Sequence, residues 1–180
     1  MTSAEKRMSH FSINVTNLHW INGNADDPTD LCLHGHAVAK IGSHTLEYDA
    51  TVSATALYLL KTLTEDHVIF TDNQMLPCCG FFLLPNEALD QVSIIGCDNG
   101  VDWSVLHDGD TVILTLEDGT AERVSLKEYR EEVFRFADEI EAFYHACTPK
   151  ILPEDEFERS GYLAFWNEWH RRRGQRNAKQ

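Results

Sequence analysis

Apolar and polar positions follow two periods along this chain. Over much of the N-terminal two thirds the period is two, and over the C-terminal third apolar residues recur at steps of three and four. The first pattern predicts half-buried strands and the second amphipathic helices. Phe11, Ile13 and Val15 alternate with polar residues, and Leu18 and Trp20 then continue on the opposite parity. A bulge near Thr16-Asn17 explains that slip.

Residues 31–52 predict a β-hairpin turning at Gly42-Ser43, with glycine in the first central position. This register pairs Ala39 with Leu46, Ala37 with Tyr48, Gly35 with Ala50 and Leu33 with Val52 on one apolar or small face. The other face pairs Val38 with Glu47, His36 with Asp49 and His34 with Thr51. A slip of one residue would mix the two faces, so the clean split fixes the register. Ser53 is expected to cap a short helix reaching about Thr64, with Leu57, Leu60 and Leu63 turned inward. The apolar run 75–84 reads as a buried strand or core-crossing segment, and Pro77 keeps its start out of a central ladder.

Asn99-Gly100, Asp108-Gly109 and Asp118-Gly119 then punctuate strand-like segments. Such dipeptides accept the positive φ of tight hairpin turns. They predict a four-strand meander of 91–98, 101–107, 110–117 and 120–125, with Trp103 lying opposite Gly96. Ser125 and Glu128 form a capping box for a long helix over 126–147, whose stripe runs through Leu126, Tyr129, Val133, Phe136, Ile140, Phe143 and Cys147. Pro149 ends it. A terminal helix begins near Pro153, and Ser160-Gly161 is expected to break or kink it. The fold class expected is therefore α+β: an antiparallel sheet, made of a hairpin and a meander, covered by a long helix and a C-terminal helix. The 180 residues suit one domain, 1–180, with a short basic tail over 171–180.

Charge changes the picture. The chain carries net −14 from 29 acids and 15 cations. Five of those cations (Arg171, Arg172, Arg173, Arg176 and Lys179) fall in the tail with no acid, leaving ten against 29, or −19, for the body. Such a body repels nucleic acid and anionic membrane and attracts basic partners. No stretch reaches 18 apolar residues, so no membrane span is expected, and the first residues lack the apolar core of a signal peptide. Five irregularly spaced cysteines fit reduced thiols in a cytoplasmic protein better than a disulfide framework.

Candidate chemistry is sparse, since phosphate-binding glycine loops, HExxH, CxxC and GxSxG are all missing. His34 and His36 share one face of a strand, with Asp49 opposite His36 and Glu47 diagonal to it. Two histidines and two carboxylates are a donor set for a divalent transition metal such as zinc, manganese or iron. The plainer reading is a cross-strand His–Asp pair on a solvent face. Cys78-Cys79 sits in the apolar run, where cysteine usually serves as a small hydrophobe. Trp166, Trp169, Arg171, Arg172 and Arg173 are residue types enriched at binding hot spots, or alternatively pack a terminal helix onto the sheet.

The leading expectation is a non-enzymatic, cofactor-free interaction protein that binds a basic protein through an acidic face, as an inhibitor or immunity-type protein does. The alternative is a metal-dependent enzyme, a hydrolase using His34, His36, Glu47 and Asp49, and a third reading is thiol chemistry at Cys78 or Cys79.

Overall fold

The computed structural model describes residues 10–24, 26–71 and 73–174. Strand β1 (Phe11–His19) pairs antiparallel with β2 (His34–Ile41), which pairs with β3 (His44–Ala50). The hairpin register is as expected from Ala39↔Leu46 through Gly35↔Ala50, about a turn in which Gly42 takes φ 57°. The ladder stops there. Thr51 becomes the N-cap of helix α1 (Val52–Lys61), so the expected pairs His34–Thr51 and Leu33–Val52 do not form. The bulge in β1 is present between Thr16 and His19, with Asn17 at φ 54°.

Helix α1 is buried on every side from Val52 to Leu60, as a helix apolar all round must be. Ser53 does not cap it. Instead its hydroxyl accepts the Leu33 N–H at 3.2 Å and ties α1 to the end of the hairpin.

Strands β4 (Leu76–Pro77), β5 (Phe82–Pro85), β6 (Val92–Ile95), β7 (Gly100–Val101), β8 (Ser104–Asp108), β9 (Thr111–Thr115) and β10 (Ala121–Ser125) follow. The meander is three strands, in the order β8-β9-β10. The fourth expected member, 91–98, pairs with β5 instead, and β7 pairs with β4. Trp103 therefore does not cover Gly96. Asn99-Gly100 is not a hairpin turn, because Gly100 faces Pro77 across β4–β7. Glycine is needed there for close approach, since a Cβ would stand 2.5 Å from the Leu76 carbonyl oxygen.

The apolar run 75–84 is only partly internal. Met75, Leu76 and Leu83 are buried, whereas Phe81, Phe82 and Leu84 are exposed, with Phe82 5.6 Å from Phe157 between ring centroids.

Helix α2 (Leu126–Ala146) starts at the expected cap, with the Ser125 hydroxyl accepting the Glu128 N–H at 3.2 Å. Tyr129, Val133, Phe136, Ala137, Ile140 and Tyr144 form its buried stripe against α1 and β1. Helix α3 (Glu156–Arg173) is capped by Asp155 and runs unbroken through Gly161. Gly161 does not end the helix; it lets the helix lie directly on β5, against Leu83. Among the described residues no helix is long and apolar enough to cross a membrane.

Candidate partner-binding face

The hairpin brings some of the expected metal donors together and separates one. His36 Nδ1 lies 2.8 Å from Asp49 Oδ1, and its Nε2 lies 3.8 Å from Glu47 Oε2. The hydrogen bond with Asp49, reinforced by the charges of Asp49 and Glu47, holds the His36 imidazole above its ordinary value. His34 is engaged elsewhere. Its ring lies 5.9 Å from that of His19 and lines an apolar hollow of about 590 Å³ with Cys32, Phe81, Phe82 and Phe157. Burial lowers the His34 pKa. Among the described residues no three His, Cys, Asp or Glu side chains form a group able to hold a metal ion.

The aromatic and arginine residues of α3 are engaged within the molecule. Trp169 is fully buried, and its indole N–H donates to Glu141 at 3.1 Å. Trp166 is half-buried, edge-on to Tyr144 at 5.0 Å between centroids. Arg172 donates to Glu168 at 2.7 Å and also bonds Glu65. Arg173 binds Asp138 through two bonds of 2.6 and 2.7 Å and stacks 4.1 Å over the Phe134 ring. Arg171 donates to the Asp90 carbonyl at 3.2 Å. Glu168 is almost wholly buried, yet it is well partnered: it also accepts the Val92 N–H at 2.8 Å and lies 3.4 Å from Lys61 Nζ. A buried carboxylate needs such partners to offset its lost hydration.

Several carboxylates line the surface around the loop between α1 and β4, and of these Glu65, Asp66 and Asp102 already hold Arg172, His107 and His67. That loop is strapped to the meander. His67 and Val105 exchange both backbone hydrogen bonds, at 2.9 and 2.8 Å. The His67 imidazole bonds Asp102 at 2.8 Å, the same Asp102 oxygen accepts the Met75 N–H at 3.0 Å, and the Ile69 N–H donates to the Ser104 hydroxyl at 2.9 Å. Asn73 donates to the Ile94 carbonyl at 2.9 Å.

The straps present Phe70, which is 76% exposed and whose backbone is left-handed, at φ 68°. A bulky residue in that region is strained, and such strain persists only where the surroundings impose it. Phe70 lines two hollows at once. One, of about 540 Å³, includes Glu65, Asp66 and Asp98. The other, of about 400 Å³, has Asp98, Asp102, Glu117 and Asp118 over an apolar floor of Leu46, Ile69, Val101 and Leu116. Two backbone-anchored carboxylates of this face are held below the ordinary range: Asp66 by the His107 N–H and imidazole, and Asp118 by the Thr120 N–H and hydroxyl. Lys61 lines the first hollow, but its ammonium is committed to the Val92 carbonyl at 2.6 Å and to Glu168. Phe70 was not among the sequence-predicted residues, and the only signal for it is an aromatic set among Glu65, Asp66 and Asp72.

Compared with known proteins, the chain matches no protein family, no curated protein and no solved structure.

Proposed function

We propose that this chain is a non-enzymatic cytosolic interaction protein that binds a basic protein, in the manner of an inhibitor or immunity protein, through the acidic face around Phe70. The observation that carries this reading is Phe70 itself: a strained, exposed aromatic on a strapped loop, flanked by two acid-lined hollows. An aromatic anchor ringed by polar groups is the anatomy of an interface hot spot. An apolar floor under carboxylates suits arginine and lysine, whose aliphatic stems bury while their charged ends pair. Each exposed ion pair contributes only about 0–1 kcal/mol. The carboxylates therefore mainly steer encounter, and the ring supplies the anchoring area. The unpaired thiols support the cytosolic part of the reading.

The test is affinity capture from a native lysate at low ionic strength, on parallel columns of wild type and Phe70→Ala. A basic protein retained by wild type, released by salt and lost from the variant column is the expected result. If no basic protein is retained, or if both columns retain the same set, the reading fails.

A further inference from the structure

Three of the five thiols gather where segments 78–80 and 96–99 run side by side. The Cys78 N–H donates to the Asn99 carbonyl at 3.0 Å, extending the β4–β7 pairing. Gly96 lies against Cys79, and a Cβ at 96 would stand 2.7 Å from the Cys79 carbonyl oxygen and 3.9 Å from its Sγ. The Cys97 N–H donates to Cys79 Sγ at 3.1 Å. The Cys97 thiol also contacts the thiols of Cys79 and Cys78. Cys78 is exposed and both Cys79 and Cys97 are half-buried, so a small oxidant reaches them.

Cys32 reaches the Gly80 carbonyl at 3.9 Å and borders the same hollow as Cys78 and Cys79. Cys32 is buried, and burial pushes it up to about 12. Cys147 lies at the end of α2.

We propose that Cys79 and Cys97 are a redox-sensitive pair that closes to a reversible disulfide under a hydroperoxide. Cys97 is the attacking thiol. The Asn99 N–H, and then its contact with the Cys79 thiol, hold Cys97 below the ordinary thiol value, while for Cys79 the lowering by the Cys97 N–H is outweighed by burial and the neighbouring thiols, which leave it raised. The thiolate is the nucleophile, so Cys97 reacts first. Its sulfur attacks the near peroxide oxygen, the O–O bond breaks, and the leaving oxygen departs as water after taking a proton. Cys97 is then a sulfenic acid. The Cys79 thiolate attacks that sulfur and expels hydroxide, which takes up the Cys79 proton. Two thiols and one hydrogen peroxide become one disulfide and two waters. The bond forms one residue from Asp98, the carboxylate common to both hollows beside Phe70.

The experiment treats the reduced full-length protein with a few equivalents of hydrogen peroxide at neutral pH. Remaining thiols are then alkylated in denaturant, and the unreduced digest is mapped by mass spectrometry. The expected result is a mass lower by two hydrogens, alkylation of Cys32, Cys78 and Cys147, a crosslinked Cys79–Cys97 peptide, and all five thiols after dithiothreitol. The Cys78→Ser variant should form the same bond, and Cys97→Ser should not. The proposal is overturned if the bond joins Cys78 to either partner, if Cys78→Ser abolishes crosslinking, or if Cys97 remains alkylatable or proceeds to sulfinic acid without a crosslink.

Discussion

No side chain separates Gly161 from Leu83. Helix α3 lies so close on β5 that a Cβ at 161 would meet the Leu83 carbonyl oxygen and stand 2.9 Å from the Leu83 Cβ. Two effects oppose each other in Gly161→Ala. Alanine gains about 1 kcal/mol of helix propensity over glycine. Overpacking costs about 1–3 kcal/mol, at the upper end when the obstacle is backbone. The substitution is expected to destabilise by about 1–2 kcal/mol net. Urea denaturation checks it, and equal or greater stability in the variant would mean that α3 can lift from β5 at no cost.

Phe70 separates stability from binding. Replacing a strained left-handed residue by glycine removes about 1 kcal/mol of backbone strain, offset in part by the greater freedom of glycine in the unfolded chain. Phe70→Gly is therefore expected to be neutral to slightly stabilising while association with the proposed basic partner weakens at least tenfold. A variant that loses both stability and binding would make Phe70 a folding residue and not an anchor.

The His36–Asp49 pair gives a direct titration. Asp49→Asn should return the His36 imidazole, read by NMR, toward its ordinary 6.5. The folded value is raised, so the pair's small stabilisation is fully present below 6.5 and fades as pH rises through the folded value. An unchanged His36 titration in the variant would assign the shift to something other than Asp49.

Glu141 acts in the opposite direction. Burial pushes its carboxyl up, but hydrogen bonds from His170 at 2.9 Å and Trp169 at 3.1 Å, with the charges of His170 and His145, outweigh burial and lower it below 4.5. A depressed carboxylate stabilises above the unfolded value and loses that contribution as pH falls through the folded one. Glu141→Gln should lower the Tm by several degrees at pH 7, and the gap to wild type should close below about pH 4.5. A gap that stays constant down to pH 3 would show that the lost stability is packing and not charge.

What the sequence revealed follows from how local each signal is. The β2–β3 register was legible because period-two alternation and Gly42 act within 20 residues, and the α2 start because Ser125 and Glu128 are three apart. The pairing of β4 with β7 and of β5 with β6 was not, since Leu76, Pro77 and Phe82–Pro85 lie in an apolar run without period. Asn99-Gly100 carried a turn signature for another reason, the close passage of β4. Phe70 and Cys97 were illegible for the same cause. Their significance lies in a backbone angle and in a neighbour 18 residues away that only the fold supplies. The arginines of α3 were visible as a charge run, but only three dimensions revealed Glu168, Glu65 and Asp138 beneath them.

Helix α1 touches α2, α3, β2 and β4, with buried side chains on all of its faces. It therefore behaves as the axle on which the hairpin, the long helix and the terminal helix are mounted. No partial opening can wet its amides without dismounting at least one of those elements, so its hydrogens should exchange only through global unfolding. The loop bearing Phe70 and Asp66 leaves from the end of this axle. The acidic face thus hangs from a helix enclosed on all its faces, which under the proposed function would present it to a partner already in shape.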